Sequence, residues 1–130
     1  HPMDQFVKLN GKDIAIKLPP FAEREDIAIA YGSESKHPRR QQRALFGALG
    51  LCVPALSLGG VETYEDLGLD LVKYGGRVYS AAMEKGHNRT ELIEAGVACF
   101  SAVCESLFPR EAEVEKAANF TEAQGAPPIG

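Results

Sequence analysis

Two short alternating runs open the chain, and Asn10-Gly11 stands between them. Asn-Gly flanked by alternating apolar residues predicts a two-residue type I′ hairpin turn, because both turn positions need positive φ. That turn dictates the register. Leu9 falls opposite Lys12, Lys8 opposite Asp13, Val7 opposite Ile14, Gln5 opposite Ile16 and Asp4 opposite Lys17. One face then collects Val7, Leu9, Ile14 and Ile16. The other sets Lys8 against Asp13 and Asp4 against Lys17, two opposite-charge cross-strand pairs. A slip of one residue scrambles the faces and breaks both pairs. An isolated hairpin is marginal in water, so its apolar face must lie on helices or on another subunit. Both of its edges are expected to be unpaired, and such edges can recruit another strand.

The period then changes from two to 3.6. Pro19-Pro20 ends the second strand, and a first helix is expected over Phe21–Ala30, closed by Tyr31-Gly32-Ser33. A second starts at Pro38, a favoured first-turn residue, and runs to Cys52 before Pro54 stops it. Residues 57–61 read as a loop. Thr63 reads as the N-cap of a third helix, with Asp66 as an Asp variant of the capping box. Its apolar stripe is Leu67, Leu71, Tyr74, Val78 and Ala82, with Gly86 as its stop. Gly75-Gly76 inside it marks a kink or a close helix crossing. Asn88, with Glu91 three residues on, caps a fourth helix. There Ile93, Val97, Phe100, Cys104 and Leu107 form the expected inward stripe, widened by Leu92, Gly96, Cys99 and Val103. Apolar nearly all round, this helix is expected at the centre of a core or of a subunit contact. A weak terminal helix is expected over 109–118 and a disordered tail over 119–130. The fold class is mainly α: an N-terminal β-hairpin, a four-to-five-helix body and a flexible C-terminal tail.

Composition narrows the setting. The chain has 130 residues with a net charge of -4, which suits one α-rich domain over 3–108. His1 and Pro2 precede Met3 and read as a remnant of cloning. The acidic balance offers nothing to nucleic acid or to an anionic membrane. The greasiest stretch, 44–58, is interrupted by Gly47, Gly50 and Pro54, so no membrane span is expected. There is no signal-peptide pattern. Cys52, Cys99 and Cys104 are odd in number, lack metal or redox spacing and sit among apolar residues. A reducing cytoplasm is the simplest compartment for them.

No constellation announces chemistry. His37 and His87 stand in separate loops without ligand-spaced partners, so no metal is expected. No nucleophile elbow, Ser-x-x-Lys or phosphate-cradling glycine loop occurs, and no cofactor or catalytic residue is assigned. Glu91 and Glu94 share a helix face, but Glu91 reads as a cap partner. One feature breaks a local rule. Lys36, Arg39, Arg40 and Arg43 crowd the start of the second helix, where the helix dipole disfavours cations. Such a cluster is either a solvated face or a docking patch for an acidic partner, including the Glu111-Glu113-Glu115 segment of a neighbouring copy. Phe120, alone among polar tail residues, is either incidental or a peptide anchor for a partner's groove.

The layout resembles the tail assembly chaperones of long-tailed (siphovirus-type) bacteriophages. The likeness lies in the leading hairpin Phe6-Val7-Lys8-Leu9-Asn10-Gly11-Lys12, the compact helical body to Phe108, and the charged C-terminal segment through Asn119-Phe120-Thr121-Glu122. It implies a non-enzymatic assembly factor of the host cytoplasm, absent from the mature virion. Such a protein would bind the tape-measure protein and the tail-tube protein and act as a homo-oligomer. The alternative expectation is a small cytoplasmic regulatory or adaptor module that binds one acidic protein partner.

Overall fold

The computed structural model describes residues 5–58 and 62–108. Strands β1 (Phe6–Leu9) and β2 (Lys12–Ala15) precede helices α1 (Phe21–Ser33), α2 (Pro38–Cys52), α3 (Leu71–Glu84) and α4 (Arg89–Leu107), with a 3₁₀ turn at Pro54–Leu56 after α2. This is the mainly α architecture with a leading hairpin that the patterning predicts. The expected terminal helix over 109–118, the tail over 119–130 with Phe120, the leading His1-Pro2 and the partner of Lys17 at position 4 lie outside the described residues.

The hairpin adopts the expected register, pairing Val7 with Ile14, Lys8 with Asp13 and Leu9 with Lys12. Asn10 and Gly11 take φ of 52° and 79°, as a type I′ turn requires. Val7 and Leu9 are buried, whereas Ile14 and Ile16 are only half-buried. Among the described residues neither strand edge pairs with a further strand, but the hairpin is anchored at one point beyond β2 and at one point in its turn. Ile16 N–H donates inward to Gln5, so Lys17 N–H points away from β1, and it donates to the carbonyl of Cys52 at 2.8 Å. On the other side, the turn N–H of Asn10 donates to Glu91 Oε1 at 2.6 Å. Glu91 is therefore not the reciprocal cap partner expected of it. The Asn88 side chain does accept from Glu91 N–H at 3.0 Å, but the Glu91 carboxylate holds the hairpin turn against the start of α4.

Helix α2 is the centre of the body. Residues 44–50 are all buried, because α1, α3 and α4 all pack around it. The fourth helix, expected at the centre of a core or of a subunit contact, buries one face in this core against α1, α2 and β1. The glycines of α2 set the spacing. A Cβ on Gly47 would lie 2.6 Å from the Leu71 carbonyl oxygen, and one on Gly50 would lie 2.6 Å from Val78 Cγ2. From the other side, a Cβ on Gly75 would fall 1.7 Å from the Arg43 carbonyl oxygen and 2.7 Å from Gly47 N. Of the two readings of Gly75-Gly76, the close crossing is correct, and Gly75 alone makes it. A Cβ on Gly76 would meet only Arg43 Cδ, at 3.9 Å.

Two boundaries and one helix face depart from expectation. Helix α1 continues through Tyr31, Gly32 and Ser33. The Tyr31 ring packs on Phe100 with centroids 4.2 Å apart, and Ser33 Oγ donates back to the Ile29 carbonyl. These contacts outweigh the stop signal of Gly32. The capping box at Thr63 forms as drawn, with Asp66 N–H on Thr63 Oγ1 at 2.9 Å and Thr63 N–H on Asp66 Oδ2 at 3.1 Å. It caps only one turn. Gly68 and Leu69 enter the left-handed region at φ 74° and 58°, and Asp70 restarts the chain as the N-cap of α3 by accepting from Lys73 N–H. Lastly, α4 is rotated from its expected face. Leu92, Ala95, Gly96, Cys99, Ala102 and Val103 are buried, whereas Val97 is 46% exposed. Gly96 decides the rotation, since its missing side chain lets α4 approach the Leu45 carbonyl.

The helix crossing makes a paired prediction. Gly75→Ala forces backbone apart and should destabilise the protein by about 3 kcal/mol. Gly76→Ala has room and gains helix propensity, so it should be neutral or stabilise by up to about 1 kcal/mol. Urea unfolding of both variants checks this, and equal effects would refute the crossing.

Candidate functional site

Because α3 lies so close on α2, polar residues from the two helices flank a single groove. It holds about 440 Å³ and is lined by Arg40 and Arg43 from α2, by Lys73, Gly76, Arg77 and Ser80 from α3, and by Asp70 and Val72 at the start of α3. On α3 the polar lining recurs at helical spacing opposite the buried Leu71, Tyr74, Val78 and Ala82. Gly76 forms part of the floor, over which the stem of Arg43 passes.

The four cations differ in their ties. Arg40 is paired with Glu34 through Nε–Oε1 at 2.9 Å and Nη2–Oε2 at 3.1 Å. That two-point bond holds the Glu34 carboxyl below its usual range, chiefly through the hydrogen bonds themselves, and pushes the Arg40 guanidinium up. Arg77 is paired with Glu62 at 2.7 Å. The Asp70 carboxylate is engaged as the α3 cap. Arg43 and Lys73 have no carboxylate partner among the described residues. The groove thus presents two unneutralised cations, flanked by two guanidiniums that their own carboxylates hold in place. In chemical terms it can take carboxylates or other anions at spaced points on a segment.

Of the residues singled out in the sequence, the structure brings Arg40 and Arg43 into this groove. Lys36, in the α1–α2 connection, and Arg39 are exposed outside it. Phe120 lies outside the described residues. Lys73 and Arg77 were not among the candidates. Their i, i+4 spacing with Ser80 on the polar side of α3 was a readable signal, but nothing in the sequence placed that side next to Arg43.

A second concavity, of about 450 Å³, is lined by Glu23, Glu62, Glu65, Tyr64 and Tyr74 over the apolar Leu51, Pro54 and Leu58. Three of its hydroxyls have structural work. Ser57 donates to the Pro54 carbonyl, Thr63 holds Asp66, and Tyr64 donates to Asp26 Oδ2 at 2.9 Å. Burial, and then the bond to Asp26, raises the Tyr64 phenol above its ordinary value. The Glu23 carboxyl is raised by desolvation and by the neighbouring charges of Glu65 and Asp26. Elsewhere, Cys52 and Cys99 face one another in the core. Their contact and their burial raise the Cys99 thiol, while burial alone raises Cys104. Among the described residues no group of His, Cys, Asp and Glu side chains could hold a metal ion. None of their helices is long and apolar enough to cross a membrane.

No protein-family model, no curated protein and no solved structure matches the chain.

The raised Glu23 carboxyl carries a sign. A carboxyl that binds its proton more tightly when folded subtracts stability once ionised. Removing its charge by Glu23→Gln should therefore stabilise the protein at pH 7, by about a few tenths of a kcal/mol for a group only partly buried. The gain should vanish as pH falls below the unfolded carboxylate range, near 4, where Glu23 is protonated in both states. Thermal unfolding of both proteins between pH 3 and pH 7 measures it, and a gain that grows toward low pH would contradict the assignment.

Proposed function

We propose that this chain is a non-enzymatic assembly chaperone of the kind that serves long-tailed phages. It would bind the tape-measure protein and tail-tube subunits during tail building, and would hold acidic stretches of a client in the α2–α3 groove. The observation that carries the reading is the groove itself, where Arg43 and Lys73 stand unneutralised between the braced guanidiniums of Arg40 and Arg77. A helix start is a poor place for such cations unless something outside the helix uses them. Large apolar side chains at the surface add adhesion. Phe6, Phe21, Ile29 and Phe108 are each more than half exposed. The layout of hairpin and helical body supports the same class of protein by resemblance. Self-association belongs to this reading.

The groove also favours a second reading, in which the chain is an adaptor for one folded acidic partner. The two readings part on the client. As a chaperone, the wild-type chain should self-associate in light scattering and keep co-expressed tape-measure segments soluble. The double reversal Arg43→Glu with Lys73→Glu should weaken that binding about tenfold or more, a change of ~1.4 kcal/mol, with the circular dichroism of the fold unchanged. A strict monomer without affinity for any tape-measure segment would overturn the chaperone reading. Capture of one folded acidic partner, equally sensitive to the double reversal, would favour the adaptor.

A further inference from the structure

The concavity beside Tyr74 is a site of a different kind from the basic groove. We infer that it binds the side chain of a lysine on a partner protein, with the ammonium held between Glu23, Glu65 and the Tyr74 hydroxyl and the stem lying on Leu51, Pro54 and Leu58; this inference does not rest on the reading of the groove.

An unsatisfied hydroxyl is the first support. Tyr74 is only 3% exposed, and its hydroxyl has no hydrogen-bond partner among the described residues. The other three hydroxyls of the cavity are engaged, Ser57 with Pro54, Thr63 with Asp66 and Tyr64 with Asp26. The Tyr74 oxygen is not sealed off. A Cβ on Gly50, which lines the same cavity, would stand 3.3 Å from it, so the absence of that side chain leaves the hydroxyl open to the cavity. A buried hydroxyl without a partner costs stability, and a ligand that bonds it recovers the cost.

Charge is the second support. Glu23, Glu62 and Glu65 rim the cavity. Glu62 gives its carboxylate to Arg77. Glu23 and Glu65 have no cation partner among the described residues. They lie close enough to act on each other: after burial, the charge of Glu65 does most to raise the Glu23 carboxyl. The charge of Glu23 in turn acts on the Tyr74 phenol. A cation placed among the three relieves that repulsion.

The arrangement selects lysine. Its three acceptors come from three elements, which are α1, the turn after Thr63 and α3. An ammonium offers three N–H donors on a compact head, whereas a guanidinium is a planar fork suited to one carboxylate met edge-on. The apolar floor suits the four-carbon stem, which packs on such surface while its head stays among polar groups. The cavity of about 450 Å³ is larger than one lysine side chain, so it has room for a neighbouring residue of a partner segment. That favours a lysine carried by a protein over a free amine.

The test uses the full chain, labelled with nitrogen-15 and titrated with a blocked pentapeptide that holds one central lysine among alanines. The amides of Glu23, Leu51, Glu65 and Tyr74 should shift in a saturable way, while those of Arg40 and Ser80 in the basic groove stay in place. The same peptide with norleucine should leave all of them unmoved, and the arginine peptide should bind several-fold more weakly. Tyr74→Phe keeps the ring and removes only the unpartnered hydroxyl. It should fold at least as well as wild type and weaken the lysine peptide about threefold or more. Glu23→Gln with Glu65→Gln should weaken it about tenfold or more. Equal shifts with lysine and norleucine would overturn the ammonium site, and so would an affinity unchanged in both variants. An arginine peptide that binds as well as the lysine peptide would overturn the selection of lysine. Binding of n-butylammonium as tight as that of the peptide would overturn the protein-borne side chain and make a free amine the occupant. No saturable shift with any of these probes would overturn the inference outright.

Discussion

The contact on which this fold turns is backbone against backbone. At the α2–α3 crossing, Gly75 lies where any side chain would strike the carbonyl of Arg43, and Gly47 lies where one would strike the carbonyl of Leu71. Helix axes normally stand 8–10 Å apart because side chains separate them. Removing the Cβ at both faces lets the helices close, and the contact gains dispersion and Cα–H···O interactions that a wider crossing lacks. Gly50 and Gly96 repeat the device toward Val78 and toward α4. A helix with glycines at positions 47 and 50 would be a poor one in isolation. It is stable here because its middle is enclosed on all sides.

The rest is arranged around that helix. The hairpin ties the end of α2 to the start of α4. Lys17 takes a carbonyl from the last turn of α2, Asn10 takes the carboxylate at the first turn of α4, and Val7 and Leu9 enter the core. A two-stranded sheet that would not persist alone is thereby held at two polar points and one apolar face. On the opposite side of the crossing, the same closeness that buries Tyr74 and Val78 brings the polar side of α3 beside the start of α2. The basic groove is a by-product of glycine packing, and its width follows from it.

The local parts of this structure were legible. The Asn-Gly turn and its register, both ends of α2, the Asn88 cap and the Gly86 stop follow from short-range chemistry. There His87 N–H bonds the Ala82 carbonyl and Gly86 N–H the Met83 carbonyl, as a Schellman ending requires. Where tertiary contacts decided, the sequence was ambiguous. Helix α4 carries apolar residues on nearly every side, so its periodicity could not say that Leu92, Gly96, Cys99 and Val103 face inward rather than Val97. The single turn after Thr63 obeys its capping signal and then breaks at Leu69, a branched residue with positive φ that no local preference announces. Half of the groove was visible as the cluster at Arg40 and Arg43. Lys73 and Arg77 could join it only once Gly75 was known to be the crossing point.

An assembly chaperone needs surfaces that adhere without catalysing, and the proposed role puts the cations of the groove and the exposed aromatic residues to that use. All of it depends on α2 and α3 being as close as the glycines allow. The most direct measurement is the nuclear Overhauser effect between the Gly75 α-protons and the Gly47 amide proton in the full chain. Main-chain packing at this crossing predicts strong cross-peaks between them, because a Cβ on Gly75 would fall 2.7 Å from Gly47 N. Their absence from an assigned spectrum, with α2 and α3 joined only through side-chain protons, would contradict the account.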